Sequence, residues 1–470
     1  MAAFSKTRWT IVILFCLTVG VPALLHQLFG EGAPPLPAGV SLPHIEAYED
    51  ALEERSPLSE RLRPWTQQAL THVGAAGGGQ AYLGRGGWLF YQPDIEHTSG
   101  PGFSVKEPLA AILDFRRQLE ARGIRLIVMP VAPKSAVEWV HFARRRIEPE
   151  SVLRNPSYEA FMERLRGEGV WTLEAVPRAY LKTDTHWTPA AMREAAEEAA
   201  RFIEARVELT PRTDRYVRQT RSVEGRGDLA GMLDIELPAE RVEIEPIETA
   251  DGTPWEARRG AEILLLGDSF SNIYSLEEMS WGSSAGFAEQ LSYALGRPID
   301  RIVLNEGGSH TTRRELARDS GRLAAARVVL WQFATRELSW GNWRLYELGS
   351  FERSPEPSKP SGAALARGAV LELTRPPAPG STPYGDCVVA LRLGELSSAG
   401  AELPAEAVAF VWGMRAHEWT RAASLEVGDR VELRLRPWSE AEAEYGRYSR
   451  KELESEESWL LDVYWGEWAE

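Results

Sequence analysis

The sequence predicts an α/β protein, a parallel sheet flanked by helices, followed by a small all-β domain and preceded by one membrane helix. Three observations carry that prediction. Between residues 77 and 350, short continuous apolar runs alternate with amphipathic helical stretches, the pattern of strands buried on both faces between helical layers. Residues 351–363 carry three prolines among Ser and Glu (FERSPEPSKPSG), the composition of a stiff solvated linker. Beyond that break the runs shorten and alternate, with turn residues between them.

Taken in order, residues 1–30 read as a signal anchor or signal peptide. Lys6 and Arg8 precede an uncharged apolar run at 9–25, near the lower limit of about 17 residues for a spanning helix. No small-x-small cleavage site follows it, which favours an uncleaved anchor with its positive flank in the cytoplasm. Residues 31–76 form a Pro-, Gly- and Ala-rich tether with a polar helical lead-in. Within the α/β domain, 77–350, residues 125–129 (RLIVM), 262–266 (EILLL), 301–304 (RIVL) and 327–331 (RVVLW) are the expected strands, and 108–122 and 189–207 the expected helices. The β domain, 364–470, has expected strands at 369–373, 387–393, 408–412 and 430–435. Its tryptophans, Trp412, Trp419, Trp438, Trp459, Trp465 and Trp468, serve a core or stack on sugars. Residues 425–437 suit a small barrel or a sandwich.

The formal net charge of −15 sets up a field that repels polyanions, so nucleic acid is not an expected partner. Cys16 and Cys387 cannot build a disulfide framework or a cysteine metal site. No motif asks for a cofactor or a metal.

The chemistry concentrates in two blocks. In LLLGDSFS, residues 264–271, an apolar strand ends in Gly267, Asp268 and Ser269. A serine there points into the crevice where open parallel sheets bind ligands, and the following helix start offers backbone N–H groups to an oxyanion. The alternative is that Asp268 or Ser269 only caps a helix. In KTDTHWTP, residues 182–189, Asp184 and His186 stand two apart just before a helix capped by Thr188 and Pro189. On one face of an extended segment the carboxylate can orient the imidazole, which then takes the serine proton. His97 and His310, on loops of the same domain, are rival bases. A third block, NEGGSHTT at 305–312, again follows a strand, with glycines that permit close backbone approach. Gly308, Asn305 and Tyr274 are the candidate oxyanion or substrate-binding groups.

GDSFS at 267–271 resembles the nucleophile block of SGNH hydrolases, although their Asp and His usually follow at the C-terminus. DTHWT placed before GDSFS is similar to the SGNH-like domain of the alginate O-acetyltransferase family. GRGGWLFY at 84–91, MPVAPKSAV at 129–137, GDLAGML at 227–233 and VVLWQFATREL at 328–338 fit the same family. The resemblance covers residues 84–338, and the usual asparagine block is not recognisable. It implies that Ser269 carries an acetyl group, with His186 as base and Asp184 orienting it. It also implies a polysaccharide acceptor, a multipass membrane O-acyltransferase as acyl donor, and a periplasmic site anchored to the inner membrane. An esterase with the same triad, or a glycan-binding assembly protein that kept the fold without catalysis, are the competing readings.

Overall fold

Five parallel strands form the central sheet: β1 (Arg125–Val131), β2 (Trp171–Thr172), β3 (Ile263–Gly267), β4 (Asp300–Val303) and β5 (Val328–Ala334), in the spatial order β4-β3-β5-β1-β2. The computed structural model describes residues 77–469 apart from 79–80, 143–152, 212–213, 234, 236, 350–362, 380–381, 383, 399–402, 454 and 460. The expected anchor at 1–30, the tether at 31–76 and nearly all of the linker at 351–363 lie outside the described residues. Among the described residues no helix is long and apolar enough to cross a membrane.

Every residue of β3 and β5 is buried, which is why these segments read as continuous apolar runs, Gln332 apart, rather than alternating ones. Successive side chains still face opposite layers. Ile127, Met129, Ile263, Leu265, Val328 and Leu330 join one apolar cluster with Ala196, Ala199 and Ile203 of a helix at Pro189–Glu204. Leu126, Val128, Leu264, Leu266, Val329 and Trp331 join another with Ile112, Phe115 and Leu119 of a helix at Lys106–Glu120. The sheet is therefore covered on both faces, and its free C-terminal edge is where polar groups can gather. The Pro189–Glu204 helix starts as expected, with the Thr188 hydroxyl accepting from Ala191 N–H and Pro189 in the first turn.

The C-terminal region closes into a barrel rather than a sandwich. Its long strands are β6 (Ala364–Leu373), β7 (Cys387–Ser398), β8 (Ala407–Arg415), β9 (Arg430–Pro437) and β10 (Val463–Trp468). They pair in a ring, β8-β10-β9-β6-β7 and back to β8, and closure removes exposed edges. Val389, Leu391, Ala409, Val411 and Leu433 fill the inside. The outer side carries Val388, Phe410 and Trp465 against Leu276 of the α/β region.

Barrel and sheet meet across a seam of buried charges. Arg314 and Arg318, on the helix Thr311–Arg318, reach Glu452 at 2.5 and 3.2 Å, while Arg450 pairs with Glu315 at 2.9 Å and Glu452 at 2.7 Å. Arg322 bridges Asp300 at 2.8 Å and Glu442 at 2.6 Å. Burial works against an ionised Glu452, but Arg314, Arg450 and Arg318 outweigh it and hold the carboxyl far below its ordinary range. Most tryptophans here are packing groups: Trp465 is buried and meets Trp412 edge-on, and Trp459 packs against the sheet-side core. Trp419 is exposed.

Candidate active site

Ser269 stands two residues beyond Gly267, the last residue of β3, opening a four-residue helical turn, Ser269–Asn272. Asp268 is the cap of that turn: its Oδ1 accepts from Phe270 N–H at 3.0 Å, and Ser271 N–H is taken by the Asp268 carbonyl at 3.0 Å. Asp268 thus engages the N–H groups of Phe270 and Ser271, so the expectation of free N–H groups at this helix start narrows to that of Ser269. Asp268 is further fixed by Gln332 Nε2 on Oδ1 at 2.7 Å and by Ala334 N–H on Oδ2 at 2.7 Å. Gln332 Oε1 in turn accepts from Ser271 Oγ at 2.6 Å. With its neighbour doing the capping, Ser269 is left over: its Oγ is buried with no hydrogen-bond partner among the described residues, and such an atom calls for a functional account.

Asp184 and His186 meet as the spacing predicted. His186 Nδ1 lies 2.7 Å from Asp184 Oδ1, which also accepts the His186 backbone N–H at 3.0 Å. Asp184 Oδ2 accepts from Trp281 Nε1 at 2.8 Å and Asp228 N–H at 3.0 Å. Burial pushes the Asp184 carboxyl up, but the His186 bond and charge, with Trp281 and the Asp228 N–H, hold it below its ordinary range. Burial likewise disfavours a charged His186, and here the Asp184 bond and charge, with Asp228, prevail and raise it. The imidazole faces the nucleophile turn, its ring centroid 4.9 Å from that of Phe270. Its Nε2 is buried and, like Ser269 Oγ, unpartnered among the described residues.

The segment carrying the pair is held from several sides. Lys134, fully buried, donates to the carbonyls of Lys182 and Asp184 at 2.9 Å each. Burial lowers its pKa to about 8 despite the nearby carboxylates. Glu240 accepts from the backbone N–H groups of Lys182 and Thr183 at 2.9 and 2.7 Å. Trp187 Nε1 donates to the Phe270 carbonyl at 3.0 Å, tying the histidine segment to the serine turn. Asp228 adds a third carboxyl, with Oδ1 accepting from Thr185 N–H at 2.7 Å and Oδ2 lying 3.6 Å from His186 Nδ1. Burial and the Asp184 charge raise its pKa to about 7. Asp184, His186 and Asp228 each bring a potential metal-ligand atom within 4.8 Å of the others. The 2.7 Å bond between Asp184 and His186 Nδ1, however, is the geometry in which a carboxylate orients an imidazole.

The rival histidines are placed differently. His97 bonds Ser339 Oγ at 2.7 Å, and burial with the Arg336 charge lowers its pKa to about 4. His310 is pushed down to about 3 by burial and the charges of Arg314 and Arg313. Both are poor proton acceptors near neutral pH. Of the other candidates, Tyr274 is fully buried and its hydroxyl donates to the Trp187 carbonyl at 2.6 Å, so it acts as a strut. Asn305 is engaged as well, its Oδ1 accepting from Asn272 Nδ2 at 3.0 Å and its N–H donating to the Arg447 carbonyl of the barrel at 3.3 Å. Gly308 lies against the nucleophile block: a Cβ there would come within 3.1 Å of Asp268 Oδ2 and 3.0 Å of Phe333 Cβ.

A cavity of about 360 Å³ opens beside these groups, lined by Tyr91, Glu96, Thr185, Glu306, Arg336, Trp340 and Tyr384, among others. Thr185 stands between Asp184 and His186, and Arg336 is fixed by Asp94 at 3.0 Å. Sequence reasoning missed Asp228, Trp281, Gln332, Arg336 and Tyr384. Gln332 left a local trace as the polar residue inside the otherwise apolar VVLWQFA run, and Asp228 and Arg336 lie in the GDLAGML and VVLWQFATREL blocks without being singled out.

A serine past the end of an inner parallel strand, with an Asp-His pair packed against its turn, is the construction of an SGNH hydrolase-like domain. The chain belongs to that family: residues 81–335 match the family described as SGNH hydrolase-like domain, acetyltransferase AlgX. It is similar to the probable alginate O-acetylase AlgJ of Pseudomonas aeruginosa, 26% identical over 315 residues, 63% of this chain and 78% of the relative. The Pseudomonas putida AlgJ is 26% identical over 294 residues, 57% of this chain and 72% of the relative. The solved O-acetyltransferase domain of Pseudomonas putida AlgJ aligns over 58% of this chain and 96% of its own, at 21% identity and a TM-score of 0.43.

Proposed function

We propose that the chain is an O-acetyltransferase acting on an extracytoplasmic polysaccharide through an acyl-Ser269 intermediate. The observation that carries this is that an Asp184-oriented His186 packs against the turn opened by Ser269, with His186 Nε2 and Ser269 Oγ both buried and unpartnered among the described residues, next to a cavity that Thr185 helps to line. Ser269 Oγ attacks the acyl carbonyl while His186 Nε2 takes its proton and Asp184 stabilises the imidazolium. The tetrahedral adduct collapses, and the leaving group departs with the proton from His186. A sugar hydroxyl then attacks acyl-Ser269, giving its proton to His186, and collapse returns the proton to Ser269. The exposed Trp340 and half-buried Tyr91 on the cavity wall favour a sugar ring as acceptor over water alone. Relatives named alginate O-acetylases support an exopolysaccharide acceptor and a site outside the cytoplasm. In this reading residues 1–30 anchor the chain to the inner membrane, and a multipass membrane O-acyltransferase supplies the acyl group.

The test is mass spectrometry of the purified chain with p-nitrophenyl acetate, with and without candidate oligosaccharides. Acetylation of Ser269 that passes to sugar is the expected result. Acetate release without transfer would make the protein an esterase, and no adduct at all would leave a binding role. Ser269→Ala is expected to lose at least ~10⁴-fold in kcat while its melting temperature stays near that of the wild type, since Ser269 Oγ makes no hydrogen bond to lose.

A further inference from the structure

We propose that the acceptor is a glycan free of carboxylates, and that Glu96 and Glu337 bar a polyuronate from the site. This rests on the acyl-Ser269 reading and concerns the cavity an acceptor would enter. That cavity borders both catalytic segments. Thr185 on its wall stands between Asp184 and His186, and the guanidinium of Arg336, also on its wall, lies 5.9 Å from the ring centroid of Phe270, the residue after Ser269. The charged residues lining it are Glu96, Glu306, Glu337 and Arg336. Three carboxylates thus share the wall with one guanidinium.

Two of those charges are already neutralised. Arg336 pairs with the buried Asp94 at 3.0 Å, so the cation of the wall is engaged before a ligand arrives. Glu306 is met by Lys451 Nζ at 3.1 Å and Ser449 Oγ at 2.9 Å. Glu96 accepts from a neutral amide, Gln92 Nε2, at 2.6 Å, and neither Glu96 nor Glu337 makes an ion pair among the described residues. Burial raises Glu337 to about 7, as expected of a wall that tolerates added negative charge poorly. A uronate carboxylate entering here would shed water beside like charge, with no unpaired cation of the wall to receive it. Sugar hydroxyls meet the opposite situation. Carboxylates accept the hydrogen bonds that hydroxyls donate, and Trp340, 62% exposed, offers a ring face to a pyranose. The formal net charge of −15 works in the same direction at longer range, opposing the approach of a polyanion.

The experiment loads the full chain in detergent with p-nitrophenyl acetate and offers matched oligosaccharides of glucose and of glucuronate, which differ only in the oxidation of the exocyclic carbon. Mass spectrometry follows acyl-Ser269 and acetyl transfer. At low ionic strength kcat/KM for the glucose oligomer is expected to exceed that for the glucuronate oligomer at least ~10-fold, and the gap should shrink as salt screens the charges. Glu96→Gln combined with Glu337→Gln should narrow it too, raising glucuronate transfer by about 10-fold. If the double variant does not fold, the salt series on the wild type decides. Equal or better use of glucuronate by the wild type would overturn this proposal and leave acyl transfer standing. So would a preference for glucose that salt does not change, since shape rather than charge would then select. A gap that closes with salt but not in the folded double variant would place the repulsion elsewhere and overturn the role of the two glutamates. A wild type that forms no acyl-Ser269, or passes acetyl to neither oligomer, would overturn the transferase reading and this inference together.

Discussion

Two regions of the protein bury charge, and they resolve it in opposite ways. At the seam, Arg314, Arg318 and Arg450 converge on Glu452, and Arg322 on Asp300 and Glu442, so each buried charge faces an opposite one. At the candidate site, Asp184 is saturated with donors, but His186 Nε2, Ser269 Oγ and Asp228 Oδ2 are buried without a hydrogen-bond partner. Burying a polar atom unpaired costs on the order of 1–3 kcal/mol. Single arginine nitrogens at the seam, Arg314 Nε and Arg318 Nε among them, also lack a hydrogen bond, but their guanidiniums are ion-paired, whereas neither His186 Nε2 nor Ser269 Oγ has any partner among the described residues. The difference separates groups kept for chemistry from groups kept for cohesion.

The sharpest way to break that contrast is to remove the well-satisfied carboxylate that holds His186. Asp184→Asn denies His186 Nδ1 its anionic partner and is expected to cut kcat by ~10⁴-fold, through the wrong imidazole tautomer and an unstabilised imidazolium. The pH profile gives a second readout. His186 must be neutral to act as base, and its pKa is raised above the ordinary 6.5, so wild-type activity should fall off on the acid side above that value. Without the Asp184 charge the acid limb should move to lower pH. A variant with an unmoved limb would mean that another group titrates there.

At the seam the effect should appear in stability instead. Glu452→Gln leaves three arginines around a neutral amide, and breaking a buried ion pair from one side costs about 3–5 kcal/mol. Urea unfolding of the full chain measures it. Activity of the folded variant below its transition should stay within a few-fold of wild type if the barrel remains docked. A large loss of kcat without loss of stability would erase the distinction between the two regions.

How much of this was visible in the sequence follows the same division between local and distant. The four strands expected at 125–129, 262–266, 301–304 and 327–331 appear with ends within about three residues, because doubly buried strands are largely apolar. Ser269 and the Asp184-His186 pair were legible because strand ends, helix caps and two-residue spacing are local facts. The partners that tune them were not. Trp281 reaches Asp184 across 97 residues and Gln332 reaches Asp268 across 64, and only the packed fold brings them together. Closure of the barrel was equally hidden, since it depends on Ala407–Arg415 pairing with both Cys387–Ser398 and Val463–Trp468. Asp268 caps the helical turn, and that leaves the Ser269 hydroxyl unpartnered among the described residues.

The smallest expected effect concerns Asp228, which belongs to the unpaired group by its Oδ2 and to the paired group by its Oδ1. Its pKa is raised from 3.8 to about 7, first by burial and then by the Asp184 charge, with His186 opposing. A carboxyl that binds its proton more tightly folded than unfolded contributes stability that is fully present below about pH 4 and lost as pH rises through about 7. Asp228→Asn imitates the protonated form while keeping an oxygen for Thr185 N–H. The variant should therefore match wild type below about pH 4 and exceed it above pH 7, by on the order of 1 kcal/mol, as read from urea unfolding at about pH 3.5 and at about pH 8.5. Removing this carboxylate also removes one of the charges that raise His186, so the acid limb of activity should shift slightly downward. A variant less stable than wild type at pH 8.5 would mean that Asp228 is held ionised, and would move it from the unpaired groups kept for chemistry to those kept for cohesion.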